Sequence, residues 1–337
     1  MSNDNSLWKE KRVLVTGGAG FIGSTLVESL VDVGANVSVI DSLENGRMEN
    51  IAKVLNEIEC AKGDLRDPAV CLRACKDIEV VFNLAAKVAG VAYNSRHPAE
   101  MFRTNVAIGM NMMEAARVSD VELFLNVSSA CVYRRNSSVP TPESEGFVDE
   151  PEPSNLGYGW AKRVLELEGR LYAKEYGMTI STIRPFNSYG PRDHFDLESG
   201  HVIPSLVRKV VDGQNPITVW GDGSQTRSFI YVTDTVRGML LAAESSEVAE
   251  PINIGNAEEI SIGDLARLII SLAGKDTRII FDKTKPSGQP RRRPDVQKAS
   301  RLLGFEARVD LKEGLMRTID WYRSEEARAS PSLASAR

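Results

Sequence analysis

Tyr158 and Lys162 stand four residues apart in the segment YGWAK. On a helix, both side chains share one face. An ammonium near a phenol favours the phenolate and lowers the tyrosine pKa. A tyrosine tuned in this way can take a hydroxyl proton while hydride leaves the same carbon. Ser129, in NVSSACVY, offers a hydroxyl that can polarise the carbonyl so formed. The tyrosine and lysine spacing alone is common; its weight comes from what precedes it.

Hydride needs an acceptor, and RVLVTGGAGFIG (12–23) supplies the place for one. An apolar strand runs into Gly17, Gly20 and Gly23, and Phe21 and Ile22 open a helix. Such a turn must be tight, and its backbone must approach a pyrophosphate without Cβ atoms in the way. The helix start then offers free N–H groups to the phosphates. Asp41 closes the next apolar strand. A carboxylate there hydrogen-bonds a ribose diol and repels a 2′-phosphate, which favours NAD over NADP. Arg47, nearby in sequence, softens that preference. Asp64, in KGDLRD, is placed to contact the adenine or to serve as a turn or cap aspartate.

The elements that must position these residues alternate. Strands are expected at Val13–Val15, Asn36–Ile40, Val80–Leu84, Leu123–Val127 and Thr179–Ile183, with a short third strand before Asp64. Helical patterns cover Phe21–Val33, Ala99–Arg117 and Tyr158–Tyr176. Alternation of this kind predicts an α/β chain with a Rossmann-type doubly wound parallel sheet. From Pro185 the loops lengthen and fill with Gly, Pro and Asp. We therefore expect a cofactor domain over 10–185 and a smaller, mainly substrate-binding domain over 186–323, with a flexible tail over 324–337. Tyr231–Asp234 and Ile252–Ile254 are expected to return to the main sheet, within 229–256.

Composition sets outer limits. The net charge of −5 argues against nucleic acid or an anionic membrane as partner, so an anionic ligand needs local cations. No apolar run approaches a bilayer span, and the N-terminus lacks a signal-peptide core. The four cysteines show no zinc spacing, no metal site is expected, and a reducing, cytoplasmic setting fits best. Cys71 and Cys75 read as packing residues on one helix face.

Eight segments in order, TGGAGFIG, GDLRD, NLAA, TNVAIGMN, SSACVY, YGWAK, RPFNSYGP and WGDGSQTRSFIYVTD, resemble the extended short-chain dehydrogenase/reductase family of nucleotide-sugar epimerases, dehydratases and reductases. The likeness spans residues 10–323. It implies catalytic roles for Tyr158, Lys162 and Ser129, and cofactor roles for Gly17, Gly20, Phe21, Ile22, Gly23, Asp41, Asp64, Leu65 and Lys162. It implies nucleotide-sugar contacts for Lys87, Asn187 and Arg227, with Arg292 or Arg293 as a further diphosphate group; a guanidinium fork suits phosphate oxygens. It also implies a homodimer built on the helices at Ala99–Arg117 and Tyr158–Tyr176.

Within that family, Ser129-Ala130-Cys131 stands where 4,6-dehydratases carry Thr-Asp-Glu, so the dehydratase acid is missing. Cys131 and His201 resemble the acid/base pair of the GDP-L-fucose synthases, and SSAC and WGDGSQTRSF are similar to GDP-mannose 3,5-epimerases. Next to a 4-ketone, C3 and C5 become acidic, and a thiol and an imidazole titrate close enough to neutrality to exchange their protons. The reductive branch consumes NADPH and lacks an aspartate like Asp41. The leading expectation is thus an NAD-dependent epimerase acting at C3 and/or C5 of a GDP-linked hexose. A 4-epimerase, a 3,5-epimerase/4-reductase and a non-catalytic nucleotide-binding protein remain as alternatives.

Overall fold

The computed structural model describes residues 7–197, 200–245, 250–285 and 288–329. The strands are β1 (Arg12–Thr16), β2 (Asn36–Asp41), β3 (Glu59–Lys62), β4 (Val80–Asn83), β5 (Leu123–Val127) and β6 (Thr179–Pro185); all but β3, an exposed edge strand of sequence ECAK, carry branched aliphatic residues. With Ile252–Ile254 they make one seven-stranded sheet. Its order from one edge is Ile252–Ile254, β6, β5, β4, β1, β2, β3, and every pairing is parallel. The strands' continuous apolar character follows from burial on both faces: β5 is buried at all five positions. The order reverses between β1 and β4, where a doubly wound sheet opens a crevice at its carboxyl ends.

Helices α1 (Phe21–Asp32), α2 (Pro68–Ala74), α3 (Val91–Arg96), α4 (Pro98–Val118), α5 (Leu156–Tyr176), α6 (Val202–Val211) and α7 (Val232–Glu244) follow in turn. Leu26, Val27 and Leu30 of α1 join Val236 and Met239 of α7 against one sheet face. Met112, Met113 and Ala116 of α4 pack with Cys71, Cys75, Phe124 and Ile180 on the other. Both cysteines are sealed, and burial pushes each thiol up to about 12, as packing residues require. A separate apolar cluster gathers Ile203, Leu206, Val207 and Val210 of α6 with Ile217, Val219, Leu265, Ile269 and Leu315.

Two expectations need correction. Ile252–Ile254 joins the main sheet, but Tyr231–Asp234 does not: Ile230–Tyr231 pairs with Ser188–Tyr189 in its own two-stranded ladder. Val232 already starts α7, and Asp234 in its first turn accepts the backbone N–H groups of Arg308 and Val309 at 2.8 and 2.9 Å. A short apolar run reads equally as strand or as helix start, and this acidic anchor decides it. The last helix runs Leu311–Ala329, so 324–329 are helical rather than tail, and 330–337 lie outside the described residues. No described helix is long and apolar enough to cross a membrane.

Candidate functional site

One cavity of about 730 Å³ opens at the carboxyl ends of the strands. Every site residue read from the sequence lines it: the glycine turn, Asp41, Asp64, Leu65, Lys87, Ser129, Cys131, Tyr158, Lys162, Asn187, His201, Arg227 and Arg292. Of the alternatives Arg292 and Arg293, Arg292 is the one that lines it.

The glycine end is shaped by close approach. Gly17 has φ +68°, and a Cβ there would press on the Ala85 backbone at 3.1 Å. A Cβ on Gly23 would collide with the Gly17 carbonyl. Gly20 caps α1 with no side-chain partner, and Phe21, Ile22 and Gly23 face the cavity with the first-turn N–H groups. Asp41 is buried and accepts the N–H groups of Ala19 (3.1 Å) and Leu43 (2.8 Å), which fixes its carboxylate on the wall. A side chain at Gly46 would strike that carboxylate. These features fit a dinucleotide: a bare cradle for phosphates, a helix start, and an acid for a ribose diol. Asp64 is half-exposed and clasped by Arg66 at 2.6 Å, which holds its carboxyl below the usual range.

Tyr158 and Lys162 lie one turn apart on α5, as the spacing predicts. The Lys162 ammonium donates to the Val127 carbonyl at the end of β5 (2.7 Å) and sits 5.6 Å from the centre of the Tyr158 ring. Burial brings the ammonium down to about 8, although Glu166 and Cys131 pull the other way. Contrary to the expectation from its spacing to Lys162, the Tyr158 phenol is not lowered: burial drives it up, Cys131 adds to this, a hydrogen bond with Ser129 opposes it, and the ammonium is engaged by the Val127 carbonyl instead. The Ser129 hydroxyl also accepts the Cys131 N–H (3.1 Å), so the SSAC turn presents serine and cysteine together. Cys131 thus bears on both Tyr158 and Lys162.

The opposite wall comes from later segments. Asn187, held at φ +35°, donates to the Ser228 carbonyl and accepts from Arg292 at 2.7 Å each. Burial first, then Arg292, works against the charge of Arg227, yet an arginine stays protonated. Two cations converging on one wall of an acidic protein are suited to a diphosphate. His201 stands at the cap position just before α6, half-exposed to the cavity, with Nδ1 3.4 Å from the Asp193 carboxylate. Lys87 lies at the near rim, paired with Glu100 and tied by its N–H to Asn105.

Sequence reasoning missed several lining residues. Asp193 precedes His201 by eight residues, and only the folded loop brings them together. Glu152, buried beside Ser154, also lines the cavity. His194 lines it too, whereas His97 stacks on Tyr93 at 4.3 Å outside it. One turn further along α5 from Lys162, Glu166 takes hydrogen bonds from Ser128 and, at 2.6 and 2.8 Å, from the fully buried Arg184. Glu166 follows Lys162 by four residues on the same helix, a signal the sequence did contain.

A parallel sheet in this order, with this cavity at its switch point, defines a nucleotide-dependent Rossmann enzyme. The chain belongs to the NAD dependent epimerase/dehydratase family, whose pattern it matches over residues 13–255. It is 33% identical over 320 residues to a dTDP-4-dehydro-6-deoxy-D-allose reductase of Streptomyces sp, covering 94% of this chain and 97% of that one. It is 31% identical over 325 residues to a GDP-L-fucose synthase of Sinorhizobium fredii, covering 94% and 97%. Among solved structures, the UDP-glucose 4-epimerase of Thermotoga maritima, crystallised with UDP-glucose, superposes with a TM-score of 0.86 at 31% identity, covering 93% and 99%. These three names carry three different nucleotides, so kinship alone does not choose the base.

Proposed function

We propose that this chain is an NAD-dependent nucleotide-sugar epimerase that inverts C3 and/or C5 of a GDP-linked hexose through a transient 4-keto sugar. One observation carries the reading: Cys131 and His201 open onto the same cavity as Tyr158, Lys162 and Ser129. A 4-epimerase has work for the last three only. A thiol and an imidazole beside them suit proton exchange at carbon.

In this reading Gly17, Gly20 and Gly23 leave room for the pyrophosphate of NAD, and Asp41 takes its ribose diol. NAD held there would supply the hydride acceptor and donor for C4. Tyr158 takes the C4 hydroxyl proton, with Lys162 supplying the positive charge that stabilises the phenolate. Ser129 donates to the carbonyl oxygen so formed. One of Cys131 and His201 removes a proton from C3 or C5, the electron pair passing into the enolate. The other returns a proton from the opposite ring face, and the configuration inverts. Each of these acid/base groups is worth about 10²–10⁴-fold in rate. Arg227, Arg292 and Asn187 hold the diphosphate, and Lys87 borders the sugar.

Incubation with GDP-, UDP-, CDP- and dTDP-hexoses in D2O tests this. Solvent deuterium at C3 or C5 of the recovered sugar is expected, with no net change in cofactor redox state. Inversion at C4 without solvent deuterium would instead assign a 4-epimerase. Stoichiometric consumption of reduced cofactor would assign an epimerase/reductase like the GDP-L-fucose synthases, against which Asp41 stands.

A further inference from the structure

Asp193 lines the cavity beside His201. It is buried at 7% exposure in the loop before α6. Its Oδ1 accepts the His194 N–H at 2.7 Å and lies 3.4 Å from Nδ1 of His201. Its Oδ2 is buried and finds no hydrogen-bond donor among the described residues. Sealing a carboxylate with one oxygen unsatisfied is costly unless a cation faces it. The preceding residue helps to hold the loop: Arg192, at φ +67°, pairs with Glu28 of α1 at 2.6 Å.

We propose that Asp193 is a positioning residue for acid catalysis: its carboxylate holds Nδ1 of His201 and so leaves Nε2 to deliver the proton to carbon. This rests on the proposed role of His201 as an exchange group and names the residue that sets its protonation state. Two charged side chains act on the imidazole, Asp193 from the loop and Arg292 from the same loop wall of the cavity. Although half of the side chain is open to the cavity, the crowding of the cavity walls around the ring, then Arg292, disfavour the imidazolium; Asp193 favours it, and the balance lies upward from the ordinary histidine value. Removal of Asp193 therefore lets the proton leave at lower pH.

Asp193→Asn keeps an oxygen for the His194 N–H while removing the charge, so the loop is expected to hold. The chain has three histidines, which makes imidazole proton NMR resolvable, with His97 as internal reference. In Asp193→Asn the His201 resonance should titrate at lower pH than in the parent, with the His97 resonance unmoved. In the D2O exchange assay, kcat should fall about tenfold at pH 8 and less than about threefold at pH 6, with KM nearly constant. Asp193→Glu should restore most of the pH 8 rate. A His201 titration unmoved by Asp193→Asn, or a rate loss equal at both pH values, overturns the proposal. His201→Gln separates the two levels. If it abolishes exchange while Asp193→Asn leaves the pH profile intact, only the role of Asp193 fails. If His201→Gln exchanges normally, the reading of the site itself fails.

Discussion

The cavity has two walls of unlike construction. The strand-end wall is made by α5, the end of β5 and the glycine turn, and its groups are sealed and tied to backbone. Lys162 is held by the Val127 carbonyl, Asp41 by two N–H groups, and Ser129 by the turn it caps. Behind it, Arg184 and Glu166 form a buried ion pair at 2.6 Å, and Arg184 continues to Tyr133 and Asn253. The loop wall draws Asn187, His201, Arg227 and Arg292 from four separate segments, and its histidine stays half-open to the cavity. The first arrangement suits a redox step common to relatives of many substrates. The second suits a choice of substrate and of the carbon that inverts.

The largest effect should come from the sealed wall. Tyr158→Phe removes the phenol that, in the proposed cycle, takes the C4 proton, and in that cycle no later step proceeds without the ketone. We expect kcat to fall about 10²–10⁴-fold with thermal stability nearly unchanged. Steady-state kinetics and a melting curve check this, and a variant within tenfold of the parent would break the assignment of redox chemistry to this wall. Cys131→Ala sharpens the comparison, because the residue touches both functions. Deuterium wash-in at C3 or C5 should fall about 10²-fold or more, while transient cofactor reduction, read at 340 nm in a single turnover, persists. Equal loss of both signals would make Cys131 a lining residue of the redox step alone.

Stability should distinguish the walls as well. Arg184→Met leaves Glu166 charged and unpaired beside Ser128 and should cost about 3–5 kcal/mol in denaturant unfolding. Pairing it with Glu166→Leu removes the stranded charge and should recover much of that loss. Arg227→Met, on the loop wall, should change stability little and raise KM for the nucleotide sugar. The reverse ranking of the two arginines would erase the contrast between the walls.

The two walls were also unequally legible. The glycine turn, Asp41, and the pair of Tyr158 and Lys162 are local patterns, and a local pattern fixes local backbone: strand, tight turn, helix, and two side chains one turn apart. Parallel β1, β2, β4, β5 and β6 follow from apolar runs separated by helical periods. The loop wall depends on pairings with no such period. Thr226–Arg227 is flanked by Ile260–Ser261 and Arg291–Arg292 in a three-stranded ladder, and only that ladder brings Arg227 beside Arg292. Family likeness named those arginines, whereas nothing in the spacing of Asp193 and His201 announces a contact. Tyr231–Asp234 failed for a related reason: its fate is set by Arg308 and Val309, more than seventy residues away.

The smallest effect comes from the far side of α5, where Glu168 separates stability from chemistry. Its carboxyl is buried at 8% exposure, and its Oε2 has no hydrogen-bond donor among the described residues. Burial first, then Glu114, raises it from 4.5 to about 7. With the folded value above the unfolded one, its stabilising share is whole below pH 4.5 and is lost as pH rises through about 7. Above that, an ionised and unpaired carboxylate costs about 3 kcal/mol. Glu168→Gln does not titrate, so it should melt about 4 °C higher than the parent at pH 8 and at nearly the same temperature at pH 5. Turnover per folded enzyme should not change, since Glu168 is absent from the cavity lining. A Tm difference that ignores pH would mean the carboxyl is already paired. A change in kcat with no change in Tm would mean the sealed wall extends through α5 to its far face.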